Sequence, residues 1–175
     1  MVGGSAARRL RAGRAGMRAT LCAARGRADL RAARRPGAPG GLALAGVLLA
    51  LPPWVHPLPP PPAGVQLRTL LGQGFGVARR WREVWEVLET RRPAGPWWHL
   101  SLLAVEPELQ GQGVGSALLG RWLADVDTAA EPACLETSRA ENVRLYERFG
   151  FAVREELRVL GVPVWLMARP PSGAA

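Results

Sequence analysis

A glycine-rich run from Gln110 to Ser116 is the part of the sequence best suited to bind an anion. It follows an apolar stretch that predicts a strand, and it precedes a stretch whose apolar residues have helical spacing. In that arrangement the backbone N–H groups converge at the positive end of the helix dipole, where phosphate binds. Glycine also lets a phosphate approach the backbone closely, because it has no Cβ. The run therefore predicts a phosphate site.

Two common phosphate motifs do not fit this run. The Walker motif needs a lysine, and the chain contains none. The dinucleotide pattern G-x-G-x-x-G fits Gly111 and Gly113, but the third glycine stands at position 115 instead of 116. What remains is Gln-x-x-Gly-x-Gly after a strand that ends in Val-Glu-Pro.

Two separate blocks then carry a family resemblance. The segment Leu102–Pro107 followed by Gln110–Ser116 resembles the acetyl-CoA motif of the GNAT superfamily of N-acetyltransferases. The segments 136–138 and 141–151 resemble that family's later strand, helix and Tyr-x-x-x-Gly-Phe signature. The sequence is therefore identified as a member of this superfamily.

The resemblance does not cover the chain evenly. It is specific over residues 97–168 and loose over 41–96, whereas residues 1–40 do not match the family's first strand and helix. We therefore expect a GNAT-like domain at 41–170 and a short tail at 171–175. The implied fold is an α/β (α+β) domain: a mixed, mostly antiparallel central sheet flanked by helices, the acyl-CoA N-acyltransferase fold with a degenerate N-terminal part.

The resemblance also implies how acetyl-CoA, the co-substrate, is bound. The backbone of Leu103, Ala104 and Val105 is expected to pair with its pantetheine arm as an added strand. Its pyrophosphate is expected on the backbone amides of Gln110, Gly111, Gln112, Gly113, Val114, Gly115 and Ser116. Asn142 lies four residues before Tyr146, so both share one helix face and can point at the cofactor. No metal ion is expected.

The implied reaction moves an acetyl group from acetyl-CoA to a primary amine by direct attack in a ternary complex. It needs a proton acceptor for the amine, a donor for the oxyanion and a proton for the departing thiolate. Tyr146, the single tyrosine of the chain, is the candidate acid, and a backbone N–H near Val105 is the candidate oxyanion donor. Glu136 is the first candidate base, and Glu106 is the second.

Other residues leave alternatives open. His99 is either a hydrogen-bonded sheet histidine or a substrate contact, and Cys134 is expected to be a small core residue. Most tryptophans are expected in the core, although Trp97 or Trp98 can line the acceptor cleft. A protein with this cofactor motif can also be a non-catalytic acyl-CoA-binding or interaction module that has lost its acceptor site.

The apolar patterns place these residues on a series of strands and helices. Strands are predicted over Gly41–Leu51, His99–Val105, Ala133–Thr137, Phe151–Val159 and Val162–Ala168. Helices are predicted over Val65–Thr90, with a break near Gly72 to Gly76, and over Val114–Asp125. Ser138 and Glu141 form a capping-box pattern for a further helix that stops at Gly150.

Charge is concentrated at one end of the chain. Residues 1–40 contain ten arginines and one acidic residue, whereas residues 41–175 contain 13 arginines and 13 acidic residues. The basic character therefore belongs to an Arg/Ala/Gly-rich segment that we expect to be disordered or poorly packed, with helical potential between Ala19 and Arg35. Because the remainder is neutral, a nucleic-acid partner is not expected.

Cysteine content and hydropathy indicate in which cellular compartment the protein acts. Cys22 and Cys134 form neither a disulfide framework nor a zinc motif. The apolar run Leu42–Leu51 has ten residues, fewer than the roughly 20 that span a bilayer. We therefore expect a cytoplasmic protein without a membrane partner that acts on a small-molecule or peptide amine, and a homodimer stays possible.

Overall fold

The computed structural model of the chain describes residues 9–11, 18–20, 29–36, 42–55 and 62–172. The strands are β1 (Arg9–Arg11), β2 (Arg18–Thr20), β3 (Asp29–Pro36), β4 (Leu42–Leu51), β5 (Trp98–Val105), β6 (Ala133–Thr137), β7 (Ala152–Val159) and β8 (Val162–Arg169). The helices are α1 (Ala63–Gln73), α2 (Phe75–Thr90), α3 (Val114–Thr128) and α4 (Ala140–Glu147). Short 3-10 turns cover Pro53–Val55 and Pro107–Leu109.

Six strands form the central sheet in the order β3-β4-β5-β6-β8-β7. Only β5 and β6 pair in parallel; the other four neighbouring pairs are antiparallel. This confirms the predicted mixed, mostly antiparallel sheet flanked by helices. β1 and β2 pair with each other in a separate two-stranded sheet.

The core lies between one face of the sheet and α3. The apolar residues of α3 recur at helical spacing and are buried against Leu48, Leu100 and Leu135. Tyr146 of α4 and Phe151 belong to the same cluster, and the ring of Phe149 lies beside Gly120 of α3. This packing fixes the helix that follows the glycine-rich run against the strand that precedes it.

Several predicted boundaries are confirmed. The predicted break in the long helix falls at Gly74, which has a φ of 81° and separates α1 from α2. Gly150 has a φ of 83°, the left-handed conformation that ends α4. The break that Glu155 makes in the apolar alternation coincides with a shift of register in β7 between Val153 and Glu155.

The predicted capping box at Ser138 is wrong. α4 begins one residue later than that pattern requires, its N-cap is Arg139, and no side chain caps it. The hydroxyl of Thr137 instead accepts hydrogen bonds from the backbone N–H of Arg139 and from Asn142 Nδ2. The last residue of β6 thus holds the start of α4 without capping the helix.

The expectation for residues 29–36 is also wrong. This part of the Arg-rich segment is neither helical nor poorly packed, because it forms β3 along β4. Arg31 is buried and donates hydrogen bonds to Asp29, Asp125 and the carbonyl of Arg121, which joins β3 to α3. The ion pair of Arg31 with Asp125 joins residues that are 94 positions apart, so no local sequence pattern indicates it. Most of the remaining segment 1–40, including Cys22, and residues 173–175 lie outside the described residues.

The apolar stripe on α2 is not part of the core. Trp81 and Trp85 are 63% and 49% exposed, and α1 and α2 contain no buried residue. In the part of the chain that the structure describes, no helix combines the length and apolar character needed to cross a membrane.

Candidate functional site

The two parallel strands at the centre of the sheet separate after three residues. Trp98 to Leu100 pair with Ala133 to Leu135, and β5 then continues to Val105 beside β4 alone. The register along β4 skips Ser101, so a β-bulge bends β5 at the point of separation. Within the described sheet, the β6-facing edge of Leu102–Val105 has no strand partner. Such an edge can bind an extended ligand through main-chain hydrogen bonds.

The glycine-rich run lies at the carboxyl end of β5 and leads directly into α3. Gly111 and Gly113 have φ values of 73° and 85°, a conformation that other residues rarely adopt. A Cβ at either position would meet no other atom within 4 Å. Glycine is therefore required here by the backbone conformation, and not by a lack of space for a side chain. The first N–H groups of α3 have no acceptor within the helix. They are therefore available to an anion.

Two glutamine side chains hold the turn in place. Gln110 Nε2 donates to the carbonyl of Val105 at 3.2 Å, and Gln112 Nε2 donates to the carbonyl of Glu108 at 2.8 Å. Val114 is buried in the core and Ser116 is half-buried. The two bonds thus tie the glycine-rich turn to the end of β5 and to the 3-10 turn that follows it.

A chain of hydrogen bonds connects β5 with β6 at the separation. His99 Nε2 lies 2.6 Å from Glu136 Oε2, and Ser101 Oγ lies 3.2 Å from His99 Nδ1. Leu100 and Leu135 are buried in the core, so by strand alternation His99 and Glu136 lie on the sheet face opposite α3. The side chain of His99 is 10% exposed and that of Glu136 is 18% exposed. Ser101 itself is exposed.

The environment keeps Glu136 ionised. Burial alone would raise the pKa of this carboxyl, but the hydrogen bond from His99 and the charges of His99 and Arg92 bring the pKa below its ordinary value. Cys134, the neighbour of His99 in the register, behaves in the opposite way. Burial and the nearby Glu136 raise the pKa of Cys134 to about 12, which agrees with the predicted inert core residue.

A cavity of about 480 Å³ opens beside Glu136. It lies between α2, the end of β6 and the β7–β8 hairpin. Its apolar wall includes Val77, Trp81, Val84, Leu88, Val159 and Val164. Its polar groups are Arg80, Glu136, Thr137 and Ser138. The exposed stripe of α2 is therefore the wall of a cleft.

Tyr146 lies on the other side of the sheet, in the core beside α3. It is 7% exposed, and its ring packs edge to face against Phe151 with centroids 6.0 Å apart. Burial raises the pKa of Tyr146, so its phenol is neutral at physiological pH and can donate a hydrogen bond. Asn142, four residues earlier, is bonded to Thr137 at the end of β6. The cofactor contacts expected of both residues stay predictions.

The other candidate residues, Glu106, Trp97 and Trp98, do not line the cavity beside Glu136. Glu106 is exposed directly after β5. Neither Trp97 nor Trp98 lines the cavity beside Glu136: Trp98 packs against Trp122 and donates to Glu131, and Trp97 donates to the carbonyl of Ala94. The tryptophan in the cavity wall is Trp81. Among the described residues, no group of three or more histidine, cysteine and acidic side chains is arranged to bind a metal ion.

Comparison with known proteins gives one family match. The family model described as an acetyltransferase (GNAT) domain matches residues 70–153. This range contains the end of β5, the glycine-rich run, α3, β6 and α4.

Solved structures share the fold at low sequence identity. An Arabidopsis thaliana NAA60 in complex with a bisubstrate analogue is 16% identical with a TM-score of 0.55, covering 86% of this chain and 79% of that one. A Corynebacterium glutamicum protein described as histone acetyltransferase HPA2 and related acetyltransferase is 23% identical with a TM-score of 0.54, covering 83% and 66%. The ribosomal-protein-S18-alanine N-acetyltransferase of Escherichia coli is 18% identical with a TM-score of 0.50, covering 85% and 72%. The chain thus spans two thirds to four fifths of their lengths.

Proposed function

This chain carries an acetyltransferase domain of the GNAT superfamily, and on that premise we propose that it moves an acetyl group from acetyl-CoA to a primary amine. The proposed route is direct attack within a ternary complex. One observation carries the proposal: an ionised, half-buried Glu136 is bonded to His99 where β5 and β6 separate, and it also lines an open cavity. A module without an acceptor site would need neither the buried carboxylate nor the cleft beside it.

The cofactor side of the proposal rests on two backbone features. The edge of Leu102–Val105 that lacks a strand partner suits the amide-bearing pantetheine arm, which can bond to it as a strand would. The N–H groups at the start of α3 suit the pyrophosphate. With Gln110 bonded to Val105, both features are fixed relative to each other before any ligand binds.

The acceptor side of the proposal uses the chain Ser101–His99–Glu136. The amine, which arrives as an ammonium, gives a proton to Ser101 Oγ, and the proton of Ser101 passes to His99 Nδ1. The resulting imidazolium is stabilised by Glu136 through Nε2, so the pair gains one proton and Glu136 stays ionised. The amine, now neutral, bonds through its nitrogen to the acetyl carbon as the carbon–sulfur bond breaks, and the nitrogen then releases its second proton to solvent to give the amide.

Tyr146 is proposed to give its proton to the departing thiolate. Its neutral phenol, buried beside α3, suits that role, because burial keeps the phenol protonated and able to donate a hydrogen bond to the sulfur as the carbon–sulfur bond breaks. The tyrosinate then regains a proton from solvent.

The intracellular, reducing setting expected from the sequence stays a proposal.

Release of free thiol from acetyl-CoA, with and without a panel of primary amines, tests this function. We expect release that depends on the amine and that matches the amount of N-acetylated product. Binding of acetyl-CoA without amine-dependent release would instead support the non-catalytic acyl-CoA-binding module.

A further inference from the structure

We infer that the acceptor is a small primary monoamine with an apolar body, bound in the cavity between α2 and the β7–β8 hairpin. This inference rests on the proposed function, because it names the acceptor for the same site. It depends on two properties of the cavity, the apolar character of its walls and the small number of its charges.

The apolar wall has two sides. On α2, Val77, Trp81, Val84 and Leu88 recur at spacings of four, three and four, so they share one face of the helix. On the opposite side, Val159 and Val164 belong to the β7–β8 hairpin. Apart from the indole N–H of Trp81, these wall side chains have no hydrogen-bonding group, and the hydroxyls of the cavity belong to Thr137 and Ser138, next to Glu136 in the chain. Such walls favour an aliphatic or aromatic body.

The charges decide how many ammonium groups can enter. Among the described residues that line the cavity, Glu136 is the one carboxylate and Arg80 is the one cation. Glu136 can attract the reacting end of an amine as an ammonium before the proton is removed. A second ammonium further along the ligand, beyond Glu136 and the hydroxyls of Thr137 and Ser138, would meet apolar side chains or Arg80 and no second carboxylate, so its desolvation would be poorly compensated. Polyamines and aminoglycosides are therefore disfavoured.

Hexylamine and 1,6-diaminohexane form a matched pair for testing this inference, because they differ only in one added terminal amino group. We expect kcat/KM with acetyl-CoA to be about tenfold or more higher for hexylamine, since the second ammonium of the diamine must lose water without a carboxylate partner. An equal or higher value for the diamine would overturn the inference while leaving acetyl transfer intact. Absence of transfer to either amine and to the whole panel would instead overturn the proposed function, and the inference with it.

Reversal of one charge locates the effect in the cavity. Arg80→Glu replaces the lining cation by a carboxylate, and we expect kcat/KM of the diamine relative to hexylamine to rise about two- to fivefold, the range for an exposed charge pair. Arg79→Glu makes the same change at an exposed neighbour that does not line the cavity, so it should leave the ratio unchanged. Equal ratios for the two variants would contradict binding at this site.

Discussion

His99 and Glu136 are joined by a hydrogen bond of 2.6 Å between Nε2 and Oε2, although they lie on strands that separate one residue further along. The bond therefore spans the start of the opening between β5 and β6. It places an ionised carboxylate on the same sheet face as the exposed Ser101. The first predictions test whether this pair accepts a proton from the amine during acetyl transfer.

Removal of the charge of Glu136 should slow the reaction without weakening cofactor binding. Glu136→Gln keeps the shape of the side chain but cannot stabilise an imidazolium, so we expect kcat to fall by about 10² to 10⁴. The dissociation constant of acetyl-CoA, measured by calorimetry, should change little. Glu156→Gln, an exposed change on β7, serves as the control. An unchanged kcat in Glu136→Gln would show that Glu136 does not stabilise a His99 imidazolium during the reaction.

Ser101 should matter only if it carries the proton to His99. In Ser101→Ala the amine has no hydroxyl through which to reach Nδ1, so we expect kcat to fall by about tenfold or more. Ser172→Ala, an exposed change near the end of the described chain, should have no such effect on kcat. Wild-type turnover in Ser101→Ala would show that the amine reaches His99 or Glu136 without it.

Tyr146→Phe separates the acid role from a packing role. The phenylalanine ring preserves the edge-to-face contact with Phe151, so the core should be retained. We expect kcat to fall more than the affinity for acetyl-CoA, because only the proton for the thiolate is lost. If kcat stays at the wild-type level, Tyr146 is a core residue and solvent protonates the thiolate.

Gly113, a left-handed glycine of the proposed anion site, gives a prediction about affinity. Gly113→Ala forces a residue with a Cβ into a φ of 85°, at a cost of about 1–2 kcal/mol. If the turn relaxes to relieve that strain, its N–H groups move, so we expect acetyl-CoA to bind about five- to thirtyfold more weakly. Gly72→Ala in α1, where a Cβ meets no atom within 4 Å, should leave the affinity unchanged.

Asp127 should affect stability at acidic pH. Hydrogen bonds from Arg169 and then Ser172 outweigh burial, and they lower the pKa of Asp127 from its ordinary 3.8. Because the folded pKa is the lower one, the stabilisation is present above about pH 4 and is lost as pH falls through the folded pKa. We expect the difference in melting temperature between wild type and Asp127→Asn to shrink between pH 6 and pH 3. A difference that stays constant with pH would contradict this linkage.

Local patterns predicted the secondary structure around Gln110–Ser116 well. The order of strand, glycine turn and helix around Gln110–Ser116 can be read from apolar spacing, and the positive φ of Gly111 and Gly113 agrees with the choice of glycine. The strand Ala133–Thr137 was predicted with its observed bounds. These features depend on neighbouring residues, which a single sequence contains.

Contacts between distant segments could not be predicted in the same way. The bond between His99 and Glu136 depends on the parallel register of two strands 37 positions apart. The spacing of two between His99 and Ser101 was the available signal for a shared strand face, but it does not indicate a bulge. Likewise the apolar stripe on α2 suggested a core helix, but this helix borders an open cleft. Periodicity alone does not show whether an apolar helix face packs against the core or lines a cleft.

The most direct test of the proposed acetyl transfer is the initial rate of thiol release from acetyl-CoA with hexylamine, measured in parallel for wild type and Glu136→Gln. We expect amine-dependent release by wild type, matched by N-acetylhexylamine in the product, and a rate for the variant lower by about 10² or more. Thiol release that is independent of the amine, or equal in the two proteins, would contradict the account.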